Sequence, residues 1–169
     1  TFVDIPVVGT TATANDRVVQ DVEEQFGEDC ITHRGPLSRS GLKFQNIVLS
    51  SIAERLAWIL DNIQNIEGSG IIYCLTRKDA YRVSEWLKHN GIKSHHYWGG
   101  DIKNDAGDDI TEELENMLLD NNIKVLVATT ALGMGFDKPD LAFVIHYQAP
   151  GSVVAYYQQV GRAGRGLDS

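Results

Sequence analysis

Three short runs in this chain are apolar at every position: Ile71-Ile72-Tyr73-Cys74, residues 125–128 and residues 143–145. A strand with no polar face cannot lie with one side in water. It belongs in a parallel sheet covered by helices on both faces. The stretches between these runs supply the covers, because their apolar residues recur at three- and four-residue steps. Ser50 or Ser51 can cap a helix whose stripe is Ile52, Leu56, Ile59 and Ile63. A second helix is predicted from about residue 78 to 90, with Ala80, Val83 and Leu87 inward and Gly91 as its stop. Ile110, Leu114, Met117 and Leu118 mark a third, and residues 153–160, just past Pro150-Gly151, a fourth. Residues 46–49 and 93–97 read as further short strands. The fold class is therefore α/β, with a parallel sheet between helices.

The first quarter of the chain reads differently. An apolar run at residues 5–9 meets Thr10-Thr11-Ala12-Thr13-Ala14. A polar helix follows from the N-cap Asn15 to Phe26, with Val18, Val22 and Phe26 four residues apart and Gly27 ending it. Residues 30–42 are polar, carry Gly35-Pro36 and Ser40-Gly41, and read as a linker at a domain boundary. At 169 residues the chain is expected to hold one domain and part of a neighbour. It opens on Thr1-Phe2-Val3 instead of Met, which suggests a piece of something longer.

Net charge is −8, which argues against bulk electrostatic attraction to nucleic acid. The acidity is local: eight carboxylates fall between Asp101 and Asp120, against Lys103 alone. Cations cluster at residues 34–43, 77–93 and 162–165, so a polyanion would bind there. No apolar run approaches the ~20 residues of a membrane span, and no signal peptide opens the chain. Cys30 and Cys74 fit neither a zinc site nor a disulfide framework, which points to a reducing, intracellular location.

In open parallel sheets, ligands bind beyond the carboxyl ends of the strands. Thr76-Arg77, Gly99-Gly100 and Thr129-Thr130 each follow a predicted strand, so all three should line one rim. From Thr129 the chain continues as Thr-Thr-Ala-Leu-Gly-Met-Gly-Phe-Asp-Lys-Pro-Asp, a turn whose hydroxyls and backbone N–H groups could hold phosphate. Asp137 could accept ribose hydroxyls, or cap the turn. Thr76 could likewise contact phosphate, or cap the helix that follows. His95-His96 is not expected to bind metal, because adjacent strand residues point to opposite faces. Tyr97 and Trp98 could stack on bases or fill the core. Near the end, Tyr156-Tyr157-Gln158-Gln159-Val160-Gly161-Arg162-Ala163-Gly164-Arg165 places Gln158, Arg162 and Arg165 on one helical face. Two guanidinium forks on one face suit a phosphate chain.

Taken in this order, residues 71–80, 125–140 and 156–165 closely resemble motifs IV, V and VI of superfamily-2 helicases, and the last two resemble the RecQ family in particular. Thr11-Ala12-Thr13-Ala14 is similar to that family's motif III. The family pattern is departed from at His33-Arg34-Gly35-Pro36 and at Tyr97-Trp98-Gly99-Gly100-Asp101. The resemblance implies a RecA-like parallel β-sheet sandwiched between helices, the P-loop NTPase-like C-terminal domain of a helicase. It implies that residues 1–30 end a first RecA-like domain, residues 31–45 link, and residues 46–169 form the second. Arg162 and Arg165 would be catalytic arginines facing ATP phosphates across an interdomain cleft, Arg165 the finger proper. Gly135, Asp137 and Gln158 would touch nucleotide. Thr76, Arg77, Gly100 and Thr129 would meet the single-strand backbone, and Thr11 and Thr13 would couple hydrolysis to strand separation. ATP and Mg2+ would be held mainly by the first domain, since neither a phosphate loop nor an Asp-Glu-x-His box occurs here. The implied activity is 3′-to-5′ translocation on single-stranded DNA with unwinding of partly duplex DNA, in the cytoplasm of a prokaryote or the nucleus of a eukaryote. An RNA helicase, a duplex translocase, or a non-enzymatic nucleic-acid-binding scaffold with a vestigial motor are the other readings.

Overall fold

The computed structural model describes residues 7–11, 14–27, 30–35, 41–100, 102–104, 106–132 and 136–164. The chain divides into two compact units, Thr1–Ser38 and Arg39–Ser169. In the first, α1 (Asp16–Phe26) begins where the Asn15 side chain accepts the Val18 N–H at 2.9 Å, and ends at Gly27 with φ 90°. Arg34 donates to Asp16 at 2.6 Å and to the Ala14 carbonyl at 3.1 Å, closing the segment after α1 back onto its start. No residue of α1 is buried, so Val18, Val22 and Phe26 form an exposed stripe.

The second unit follows the alternation read from the sequence: α2 (Ile52–Ile63), β1 (Gly70–Tyr73), α3 (Arg77–His89), β2 (Ser94–Tyr97), α4 (Thr111–Leu119), β3 (Val125–Ala128), β4 (Phe143–His146) and α5 (Val153–Val160). The sheet order is β2-β3-β1-β4, and every pair is parallel. Alternate residues of β1 and β3 enter two separate cores. Ile72, Val125 and Val127 pack with Ile59 and Ile63 of α2 and Ala80, Val83 and Leu87 of α3. Ile71, Tyr73, Leu126 and Ala128 pack on the other face with Leu114 and Leu118 of α4. These wholly apolar strands are buried because helices cover both sides.

Residues 46–49 depart from the expectation of a strand. They are irregular, and Val48 is 90% exposed. Ile47 and Leu49 line a groove of about 650 Å³ beside β4, with Trp58, Phe143 and Ile145. A local apolar pattern supplies no ladder partner, and only a ladder makes a strand. Ile52, expected inward on α2, is exposed at the helix start. β1 begins one residue earlier than expected, at Gly70. A Cβ there would stand 2.4 Å from the Phe143 ring, so glycine is what allows β4 to lie alongside.

Candidate functional site

Parallel register brings Tyr73, Tyr97, Ala128 and His146 to one level at the carboxyl ends of the strands. The four following loops meet there. Cys74 N–H donates to the Ala128 carbonyl at 2.7 Å, Thr129 N–H to Tyr97 at 3.0 Å, and Tyr147 N–H to Tyr73 at 2.9 Å. Gln148 spans two of the loops: its Oε1 accepts from Leu75 N–H at 3.1 Å, and its amide donates to Asp79 at 2.8 Å.

Thr76 is the N-cap of α3. Its hydroxyl accepts the Asp79 N–H at 3.0 Å and donates to the Asp79 carboxylate at 2.8 Å. Arg77 leans across the rim and donates to the Gly99 carbonyl at 2.9 Å, its guanidinium 5.8 Å from the Trp98 ring centre. Gly99 lies against Ala131, where an added Cβ would come within 3.0 Å. Gly100 has φ 97° and open space around its Cα. Thr129 is half-buried at the start of the third loop. Arg77, Gly99-Gly100 and the 129–131 turn are thus gathered at one place, as the sequence predicted.

Arg162 lies just past α5 and reaches back to the same rim. Its Nη1 donates to the Phe136 carbonyl at 2.7 Å, and its Nε is buried with no partner. The Tyr73 hydroxyl donates to the Leu132 carbonyl at 2.9 Å. Burial pushes the Tyr73 phenol up to about 12, with the Arg162 charge pulling the other way. A strand residue and Arg162 therefore grip the carbonyls on either side of residues 133–135. Among the described residues, neither Arg77 nor Arg162 is paired with a carboxylate.

Gly135, Arg165 and Thr13 fall outside the described residues. Thr11 is exposed in the first unit. Asp137 is exposed and directly follows the carbonyl that Arg162 holds. On α5, Gln158 is exposed, while Gln159 is buried with its Oε1 2.8 Å from His146 Nε2. His146 also stacks on Tyr73, ring centres 5.8 Å apart, and burial lowers its pKa. Lys138 is buried, donating to Asp140 at 2.7 Å and to the Leu119 carbonyl at 3.0 Å. The Lys138 and Asn121 hydrogen bonds hold the Asp140 carboxyl below the usual carboxylate range. This pair ties the turn to the end of α4.

The hydrogen bonds of Tyr73, Gln148, Gln159 and Lys138 were not legible in the sequence, because their partners lie 59, 73, 13 and 19 residues away. The expected divergence of His95 and His96 is also corrected: on the edge strand β2 their rings meet, centres 4.5 Å apart. Tyr97 belongs to the core, its hydroxyl donating to Glu115. Among the described residues, no group of three His, Cys, Asp or Glu side chains could hold a metal ion, and no helix is long and apolar enough to cross a membrane.

The sheet order, the helices on both faces and the rim of strand-end loops define a RecA-like lobe of the helicase type. Yeast Dbp5 bound to RNA and ADP BeF3 superposes with TM-score 0.73 at 23% identity, over 92% of this chain and 41% of that one. A DEAD box protein from Methanococcus jannaschii gives 0.62 at 23% identity, over 90% and 40%. At these identities the likeness is one of fold. The chain belongs to the family described as the helicase conserved C-terminal domain, whose pattern matches residues 53–166. Within it the chain is similar to the RecQ-type ATP-dependent DNA helicases. It is 37% identical to a putative ATP-dependent DNA helicase Q1 of Caenorhabditis elegans, over 97% of this chain and 26% of that protein. It is also 37% identical to the ATP-dependent DNA helicase RecQ of Bacillus subtilis, over 96% and 27%. The chain spans about a quarter of the length of these relatives.

Proposed function

We infer that this chain is the second RecA-like lobe, with the end of the first, of a RecQ-type helicase that couples ATP hydrolysis to 3′-to-5′ movement on single-stranded DNA. In this reading residues 1–30 close the first domain, residues 31–45 link, and residues 46–169 form the second. The observation that carries it is the meeting of Arg162 with the Phe136 carbonyl, which joins the arginine-bearing segment to the turn from Thr129 to Asp140 at the strand ends. A guanidinium there can stabilise the charge that builds on a transferred phosphoryl group. Arg165, three residues on, is the finger. Gly135, Asp137 and Gln158 contact nucleotide, and Thr11 and Thr13 couple the domains. Arg77, Gly100 and Thr129 track the strand backbone, and Thr76 joins them through its backbone because its hydroxyl caps α3. Mg2+ and most of the triphosphate sit on the first domain. The work is intracellular, on single-stranded and partly duplex DNA.

The test is Arg165→Ala in the full-length protein. ATP turnover is expected to fall by roughly 10³–10⁵, with single-strand binding nearly unchanged. Near-normal turnover removes Arg165 from the mechanism. Unwinding assays on DNA and RNA duplexes separate this reading from an RNA helicase.

A further inference from the structure

A column of side chains runs outward from Arg77 along the rim, and its three rings have no role in the reading above. Arg77 and Tyr81 stand four residues apart on α3. His96 in β2 and Trp98 just past it stand two apart, so each pair shares a face of its own element. The packing of α3 against β2 brings the two pairs together. The Arg77 guanidinium lies 5.8 Å from the Trp98 ring centre, and the Trp98 ring is stacked 4.4 Å from His96 at 15°. His96 in turn lies 5.4 Å from Tyr81. The column begins at the Gly99 carbonyl, which Arg77 holds, and ends at Tyr81, which is 53% exposed.

Charge around the column favours an anion. Successive residues on a helix are turned by about 100°, which places Tyr81 between Arg77 and Lys78. Arg82 follows directly. The carboxylates beside it are engaged: Asp79 by Thr76, Gln148 and, at 3.7 Å, Arg82 itself, and Glu85, four residues past Tyr81, by Lys88 at 3.0 Å. The ring of His96 is uncharged near neutrality, because burial, then the neighbouring His95, pull its pKa down to about 4, so the cations beside the rings are those of Arg77 and Lys78. Its Nδ1 is buried with no partner.

We propose that the Arg77–Trp98–His96–Tyr81 column is a base-stacking platform that continues the strand path outward along α3. Tyr81 receives a nucleobase of single-stranded DNA, and Lys78 the adjoining phosphate. The proposal rests on the rim being a strand-binding surface and adds a ring-based subsite to it. Every base has a π face, so this subsite adds affinity without reading sequence.

The full-length protein, Tyr81→Ala and Tyr81→Phe are compared for binding of fluorescein-labelled oligothymidylates from about 4 to about 16 nucleotides. Short oligomers, confined to the rim, should bind all three proteins alike. Long ones should bind Tyr81→Ala roughly tenfold more weakly, with Tyr81→Phe like the wild type. Equal affinity of Tyr81→Ala and wild type for long oligomers overturns the platform and leaves the rim standing. A loss equal at all lengths with a lowered melting temperature marks the column as a structural clamp, which also overturns it. A wild type that binds no oligomer overturns the rim reading and the platform with it.

Discussion

At the amino ends of the strands, backbone and side chains fill the available space. Ser69 is buried and its hydroxyl donates to the Ile123 carbonyl at 2.7 Å. Lys124 donates to the carbonyls of Gly68, at 2.7 Å, and Ile66, and Gly70 fits under the Phe143 ring only because it lacks a Cβ. At the carboxyl ends the same strands run into loops held by long side chains reaching single carbonyls: Arg77 to Gly99, Tyr73 to Leu132, Arg162 to Phe136. There Gly100 has a left-handed backbone and nothing near it. Gly70 thus serves close packing at one end, and Gly100 room at the other. Lys124 at the sealed end bonds two carbonyls of one short loop, whereas at the open end Arg77 and Arg162 each reach one carbonyl of a separate loop and, among the described residues, no carboxylate. In the reading proposed above, function lies at the open end and stability at the sealed one.

The contrast predicts separable effects. The largest belongs to Arg162→Ala in the full-length protein. It should lower ATP turnover by roughly 10³ or more while costing only about 1–2 kcal/mol of stability for the orphaned Phe136 carbonyl. Steady-state hydrolysis and urea melts check the pair, and a variant that merely unfolds would erase the contrast. Next is Gly70→Ala at the sealed end, where the new methyl meets the Phe143 ring at 2.4 Å. It should cost about 2–3 kcal/mol and leave the single-strand affinity of the folded fraction unchanged. Ser69→Ala, which strips the Ile123 carbonyl of its donor, should cost about 1–2 kcal/mol by denaturant titration.

The smallest effect is on the flank of the open end and depends on pH. Burial, with His95 and Lys88 nearby, lowers the His96 pKa from 6.5 to about 4, so the unfolded chain takes up its proton first. That stability is fully present above the unfolded value of 6.5 and is lost as pH falls from there towards about 4. Solvent screening at a half-buried ring brings the loss to about 1 kcal/mol. Urea midpoints at about pH 7 and about pH 5 should differ less in His96→Gln than in the wild type.

The legible and illegible parts of the molecule divide by range. α3 reads from its residues alone: Thr76 caps it through Asp79 three residues on, and Ala80, Val83 and Leu87 repeat at helical spacing. Arg77, Gly100 and Thr129 were legible as a group because each follows an apolar strand, and parallel strands place such positions at one edge. Residues 46–49 misled for the converse reason, since their apolar pattern needed a partner that β4 does not provide. Gln158 and Gln159 are equally polar neighbours, yet only Gln159 is buried, because the turn of α5 aims it at His146.

The order of apolar runs and amphipathic stripes fixed the class of fold, the direction of the strands and the edge where charge would gather. Those properties follow from periodicity and from burial of apolar surface, which act within a dozen residues. Tertiary packing alone decided that β4 lies beside β1, that Arg162 grips a carbonyl 26 residues upstream, and that α3 and β2 build a column of rings. Each of these is a contact between distant parts of the chain that no local pattern brings together, and each exists only once two cores have closed on the sheet.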